Sequence, residues 1–180
     1  MGLVRTTGAL EIRLVKYERD NKMSAENVQI VRLEPARVAS VLGFGSSPEL
    51  EAIGKLVAWA KPKGYLENLA AHRVFGFNNP SPSPGSPNYG YELWMVVTEE
   101  VQPEGVVEIK TFPGGLYAVK KCVVAGDAYE IIPVTWKQLV MWREDSPYRA
   151  ASHQWLEEHL QVEFSEGEPW ALDLYLPIEE

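Results

Sequence analysis

Two periods of hydrophobic and polar positions run along this chain, and they divide it into strands and helices. Alternation with period two predicts strands over VQIVRL (28–33), RVASVLG (37–43), HRVFGF (72–77) and YGYELWMVV (89–97). It recurs over EGVVEIKTF (104–112), LYAVKKCVV (116–124), ASHQWLEEHL (151–160) and WALDLYLPI (170–178). Helical spacing places Leu50, Ile53, Val57 and Ala60 on one side of a helix from about Pro48 to Lys61. Ser47 is its candidate N-cap, and Pro48 suits the first helical position. A second helix, from about Glu130 to Glu144, aligns Trp136, Leu139, Val140 and Arg143. Pro133 falls in its opening turn, where a missing N–H is tolerated. Gly43 and Gly45, the NNPSPSPGSPN run (78–88), Gly114-Gly115 and QVEFSEGEP (161–169) interrupt the periodic segments. The resulting order is ββαββ, twice, with an echo between Leu69-Ala70-Ala71-His72 and Arg149-Ala150-Ala151-Ser152-His153. A period of roughly 75 residues with so few units predicts a pseudo-duplicated α+β domain rather than a solenoid.

Length fits that picture: 180 residues is one-domain size and permits burial of about 70% of the extended surface. The domain is expected over residues 28–180, with pseudo-repeats at about 28–98 and 105–178. Residues 1–27 read as an N-terminal extension. In it Leu10, Ile12, Leu14 and Tyr17 could line a short strand or a helical turn, ahead of the polar run ERDNKMSAEN. The extension is too short for a helix-turn-helix domain with its own core, and is expected to be partly disordered, strand-forming or in contact with a neighbouring molecule. A homodimer is one assembly that the sequence leaves open.

Charge narrows the partners. A net charge of −8 argues against direct binding of nucleic-acid phosphates or of an anionic membrane surface. No stretch approaches 18 apolar residues, so neither a membrane span nor a signal peptide is expected. Cys122 is the only cysteine, which leaves no internal disulfide and suggests a reducing, cytoplasmic setting. Its expected role is that of a small buried hydrophobe.

Other chemical signals are weak. His153, Glu157 and His159 share a parity, yet 153 and 159 would stand about 20 Å apart along a strand, too far for one metal. Gly43-x-Gly45 lacks the third glycine and the parallel unit of a dinucleotide loop. Neither a metal nor a cofactor is expected. Asn79-Pro80-Ser81 is barred from glycosylation by its proline.

The C-terminal half carries a resemblance. FPGGLYAVKKCV, then W-K-Q-L-x-x-W, then HQWLEEH, then ALDLYLPI resemble a GyrI-like small-molecule-binding domain, and YGYELWMVV resembles its central strand in the first half. The same domain is the effector-binding module of multidrug-responsive bacterial regulators. Over about residues 28–178, the resemblance implies a duplicated SHS2-type fold. One antiparallel sheet would carry both helices on one face and a ligand cleft on the other.

Side-chain parity offers an independent view of that cleft. In the 89–97 strand Tyr91, Leu93, Met95 and Val97 form the packed face, leaving Glu92, Trp94 and Val96 opposite. In the 153–160 strand Leu156 and Leu160 suit the helix-packed face, leaving Trp155 and Glu157 on the other. Each half then offers a Trp–Glu pair to the cleft. The resemblance adds Tyr117, from the GGLYA motif, and puts Glu157 at the family's central carboxylate; Trp170, opening the last strand, would line the wall. The bland alternatives are a solvated Glu92, a surface pair Glu157-Glu158 and ordinary packing for Trp94 and Trp170. Trp59, Trp136 and Trp142 lie on helices and are expected to pack.

A carboxylate among aromatics must take up a proton, find a donor or await a cation. Aromatic faces attract cations by about 0.5–2 kcal/mol each. The leading expectation is therefore a stand-alone protein that binds or sequesters lipophilic, often cationic aromatic molecules through Glu157, Glu92, Trp94, Trp155, Tyr117 and Trp170. The resemblance implies an alternative, because some stand-alone relatives are hydrolases that open cyclopropane rings in electrophilic genotoxins. Glu157 would then be the general base and Tyr117 the oxyanion donor. A further alternative, from the family's namesake, is a protein-partner modulator of DNA gyrase.

Overall fold

The computed structural model describes residues 27–165 and 167–180; residues 1–26 of the expected N-terminal extension lie outside them. The described strands are β1 (Gln29–Leu33), β2 (Ala36–Gly45), β3 (Val74–Asn78), β4 (Tyr89–Val96) and β5 (Glu108–Phe112). They continue with β6 (Gly115–Val124), β7 (Arg149–Ala150), β8 (Leu156–His159) and β9 (Trp170–Glu179). Helix α1 spans Pro48–Ala60 and α2 spans Ala128–Glu144. All strand pairs are antiparallel, in the order β1-β6-β9-β8-β3-β4-β2-β5, with β7 added beside β9. The α+β class, the single sheet and the doubled ββαββ order are as the sequence predicts, with the two-residue β7 added in the second half.

The order is symmetric about the β8–β3 pair. Each half contributes strand, helix, strand, strand, and each half's leading strand crosses to the other half's edge. Two crossing links, Leu33 to Ala36 and Phe112 to Gly115, meet at Gly114. A Cβ there would lie 2.4 Å from the Leu33 carbonyl oxygen, and the residue has φ +76. Glycine is needed because one backbone passes directly over another.

Both helices cover one face. Ala52, Leu56 and Ala60 of α1 pack on Ala39, Val41, Val74, Tyr91, Leu93 and Met95. Leu139 of α2 packs on Ala118, Cys122, Leu172, Leu174 and Leu176, with Trp136 and Val140 beside it. Cys122 is thus a core residue. The stripe on α1 is rotated from the expected one: Leu50 is 72% exposed, while the smaller Ala52 and Ala60 let the helix approach the sheet. Pro48 opens α1 and Glu49 and Glu51 complement its dipole, although the Ser47 side chain makes no cap bond. For α2, the Asp127 side chain accepts from the Tyr129 N–H at 2.9 Å.

The other face is equally apolar. Leu33, Val38, Phe75, Phe77, Phe112, Tyr117, Val119, Leu156 and Tyr175 form one buried cluster there. Leu33 and Phe112 come from the two edge strands, so the sheet curls until its edges share a core. This overturns the parity assigned to 153–160. Leu156 belongs to this cluster, and Glu157 faces the helices. An apolar residue could not mark the helix side, because both sides are dry. The predicted ten-residue strand is also shorter, since only Leu156–His159 is extended.

Where the halves meet, β3 and β8 share the pairs Val74↔His159, Phe75↔Glu158 and Gly76↔Glu157. Glu158 accepts two hydrogen bonds from Arg73 at 2.7 and 2.8 Å. The Tyr175 hydroxyl accepts from Arg73 at 2.7 Å and donates to Glu158 at 2.6 Å. Removing one member of such a pair leaves the other buried and uncompensated. Arg73→Met is expected to cost about 2–3 kcal/mol, less than a fully buried pair because Arg73 is partly exposed. Arg73→Met/Glu158→Leu should recover most of that loss in urea unfolding; an Arg73→Met curve matching wild type would show that the pair does not hold the seam.

Candidate functional site

Glu157 lies at the floor of a cleft of about 300 Å³ on the helix side of the sheet. Gly76, Asn78 and Ser81 form one wall; Trp136, Gln154 and Trp155 form the other. The Trp136 and Trp155 rings stand 5.1 Å apart at 40°, and Trp155 is 42% exposed at the rim. Two neutral donors hold the carboxylate. The Tyr91 hydroxyl donates to Oε2 at 2.7 Å, and the Trp136 indole N–H donates to Oε1 at 3.2 Å. Tyr91 also lies 3.0 Å from His159 Nε2.

Gly76 makes this arrangement fit. A Cβ there would fall 2.1 Å from the Tyr91 hydroxyl oxygen, so only glycine lets that hydroxyl pass over β3 toward Glu157. Burial pushes the Glu157 carboxyl above its ordinary value; the Tyr91 and Trp136 hydrogen bonds pull the other way and do not cancel it. Burial first, and then the neighbouring Glu157 charge, push the Tyr91 hydroxyl up. The three central carboxylates thus differ in their partners. Glu158 is paired with Arg73 and Glu92 with Lys110, whereas Glu157 forms no salt bridge among the described residues and accepts from Tyr91 and Trp136.

The remaining predicted site residues lie elsewhere. Glu92 faces the opposite side and is 2% exposed, neither solvated nor free. It accepts from Ser40 and Asn79 at 2.7 Å, and from Trp94 and Lys110 at 2.6 Å. Burial raises its pKa, but those four donors together outweigh burial and hold it below the ordinary value. Trp94 packs edge-on against Phe77 at 4.6 Å. Tyr117 is fully buried on that same far face, donates to the Gln154 carbonyl at 3.0 Å and meets His153 edge-on. It cannot share an oxyanion with Glu157, because the sheet lies between them. Trp170 stands on the helix face at the far end of β9, against Phe164 and the α2 core.

The four residues expected in one cleft therefore divide, with Trp155 and Glu157 on the helix side and Glu92 and Trp94 opposite. Three residues that complete the site were missed. Trp136 packs beside Leu139 as its helical position predicts, and its N–H also reaches the carboxylate. Tyr91 was placed on the packed face, where it does lie, but its hydroxyl was not followed to its partner. His159 was considered only as a metal ligand. A polar tip on a core-facing Tyr was the available signal, since a buried hydroxyl needs a partner.

A larger, shallower depression of about 380 Å³ lies between Trp59, Lys63, Tyr65 and Glu104. There Lys63 and Glu104 already pair at 2.7 Å, and both are well exposed.

Residues 29–178 match the sequence model of the integron-associated effector binding proteins. The chain belongs to this family. At that level its function is the binding of a small-molecule effector. Solved structures agree on the fold. The EcmrR C-terminal domain superposes with a TM-score of 0.58 at 15% identity, over 86% of this chain and 98% of that one. A conserved protein from Listeria innocua gives 0.60 at 12% identity, over 91% and 98%. A hydrolase from the same organism gives 0.54 at 12% identity, over 90% and 97%. These neighbours share the α+β fold expected from the sequence. No curated protein sequence matches the chain. No helix among the described residues is long and apolar enough to cross a membrane.

The raised carboxyl has a stability consequence for this effector-binding domain. Between its ordinary pKa and its raised folded value, the native state holds the Glu157 proton more often than the unfolded state. Stability from this group is present below that window and falls as pH rises through it. Glu157→Gln should flatten this segment of a pH series of urea midpoints; an identical slope in the variant would contradict the assignment.

Proposed function

We propose that the cleft above Glu157 takes a flat, lipophilic, cationic aromatic effector, with Glu157 as its counter-charge and Trp136 and Trp155 as its aromatic walls. The carrying observation is the contrast among the carboxylates. Glu92 and Glu158 hold cations supplied by the fold, whereas Glu157 is largely buried with neutral donors only. A cationic ligand would complete this site as Arg73 completes the other, and would lower the raised carboxyl pKa. The indole faces would add about 0.5–2 kcal/mol each. Membership in an effector-binding family supports a small molecule as the occupant.

Ethidium, compared with the neutral phenanthridine that shares its ring system, tests the charge requirement. Quenching of tryptophan fluorescence should report ethidium binding, with phenanthridine about tenfold or more weaker. Glu157→Gln should weaken ethidium by about tenfold, equivalent to about 1.4 kcal/mol, and leave phenanthridine unchanged. Equal affinities for the two compounds, or an unaltered ethidium affinity in the variant, would overturn this reading.

The raised pKa of Glu157 also favours a second reading, because it suits a general base. Glu157 would take a proton from water as the water oxygen attacks a ring carbon of an electrophilic cyclopropane. The broken C–C bond's electrons would pass to the substrate's electron-withdrawing group, which then recovers the proton. A fold shared with hydrolases is compatible with this chemistry. Turnover of such a compound, lost in Glu157→Gln, would support it; turnover that survives the substitution would exclude it.

A further inference from the structure

The site contains a buried histidine that neither reading uses. His159 sits at the inner end of β8 and is 5% exposed. Its Nε2 lies 3.0 Å from the Tyr91 hydroxyl oxygen, while its Nδ1 is buried with no hydrogen-bond partner among the described residues. Tyr91 has a single hydroxyl proton and two neighbours able to accept it, Glu157 Oε2 at 2.7 Å and His159 Nε2. The direction of that proton decides how the carboxylate is held.

Partner counting fixes the direction. If Tyr91 donated to Nε2, the neutral ring would carry its proton on Nδ1, leaving a buried N–H with no acceptor. If Nε2 carries the proton, it donates to the Tyr91 oxygen, and only an acceptor nitrogen is left bare. Orphaned buried N–H groups are rarer than under-used acceptors, so the second arrangement is preferred. An imidazolium would carry the orphaned N–H as well as a charge, and burial pushes the ring pKa down to about 4.

We propose that His159 is a positioning residue for Glu157: its Nε2–H donates to the Tyr91 oxygen and commits the Tyr91 proton to the carboxylate. The chain runs from His159 through Tyr91 to Glu157 across β8 and β4, over the gap that Gly76 leaves. It opposes the desolvation of Glu157 and keeps a charge available at the cleft floor. Beyond burial, Glu49 from α1 raises the pKa of both Glu157 and Tyr91, Tyr89 from β4 raises that of Tyr91, and Glu157 in turn raises that of Cys122 on β6. Lys120, two positions before Cys122, brings a mostly buried cation to the same face of β6. Glu49 is occupied by the Tyr89 hydroxyl at 2.6 Å. The consequence for ligands, a preference for cations, rests on the function proposed above; the hydrogen-bond direction does not.

Two measurements on the ligand-free protein test the proposal. Nitrogen-15 shifts of His159 in the wild type should show Nε2 protonated and Nδ1 bare; the reverse tautomer would overturn the proposal without any variant. A carbon-13 titration of the Glu157 carboxyl should then move up by about one pH unit in Tyr91→Phe and by about half as much in His159→Leu. His159→Gln, whose amide N–H can take the place of Nε2–H, should return the midpoint toward wild type. A folded His159→Leu protein that titrates Glu157 as wild type does, or a His159→Gln protein that does not restore the midpoint, would also overturn it. Ethidium binding by the wild type is read separately. Its absence would sink the proposed ligand class, while the tautomer and midpoints still decide the role of His159.

Discussion

The structure turns on three residue pairs where β3 meets β8, because among the described residues this short ladder alone pairs the two halves' central strands directly. Glu157 and Glu158 are neighbours on β8, so the pleat sends them to opposite faces of the sheet. On one face Glu158 meets Arg73 and Tyr175, and the pair ties both halves together. On the other face Glu157 meets Tyr91 and Trp136, which donate hydrogen bonds without bringing charge. One dipeptide thus supplies a structural ion pair and a carboxylate held by neutral donors.

That division follows from how charge behaves under a dry sheet. A buried carboxylate with a matched cation can be retained as an ordinary part of the core, and Glu92 with Lys110 is a second example. A buried carboxylate with neutral donors only is held short of full compensation, and its pKa rises. The cleft between α2 and the end of β3 leaves this group partly open to solvent. Curling matters here too. By drawing Leu33 and Phe112 into one core, it fills the far face with side chains and leaves the helix side as the place for a cleft.

Much of this was legible in the sequence. The doubled ββαββ order came from periodicity alone, and the packed parity of Tyr91, Leu93, Met95 and Val97 in β4 is observed. Glu157 and Trp155, paired by parity in the sequence, both line the cleft beside α2. The error lay in relating two strands to each other. Period two divides a strand into two faces without saying which face is which, and an apolar residue marks the helix side only where the other side of the sheet is wet. Leu156, buried among Phe75, Tyr117 and Tyr175, shows that both sides are dry. Glu92, Trp94 and Tyr117 were consequently placed with Glu157, although a sheet separates them.

The sequence by itself determined the class of fold, the strand and helix order, the glycines that permit close backbone passage and the residue types from which a cation site could be built. These depend on local periodicity and on single-residue sterics, which a linear chain carries explicitly. Only the tertiary structure decided which carboxylate was left without a cation. That property depends on which of Arg73, Lys110, Tyr91 and Trp136 arrives beside each glutamate, and those side chains come from elements 18 to 85 positions away. Long-range pairing sets the local dielectric and the partner count, and those two quantities separate a structural carboxylate from a candidate binding one.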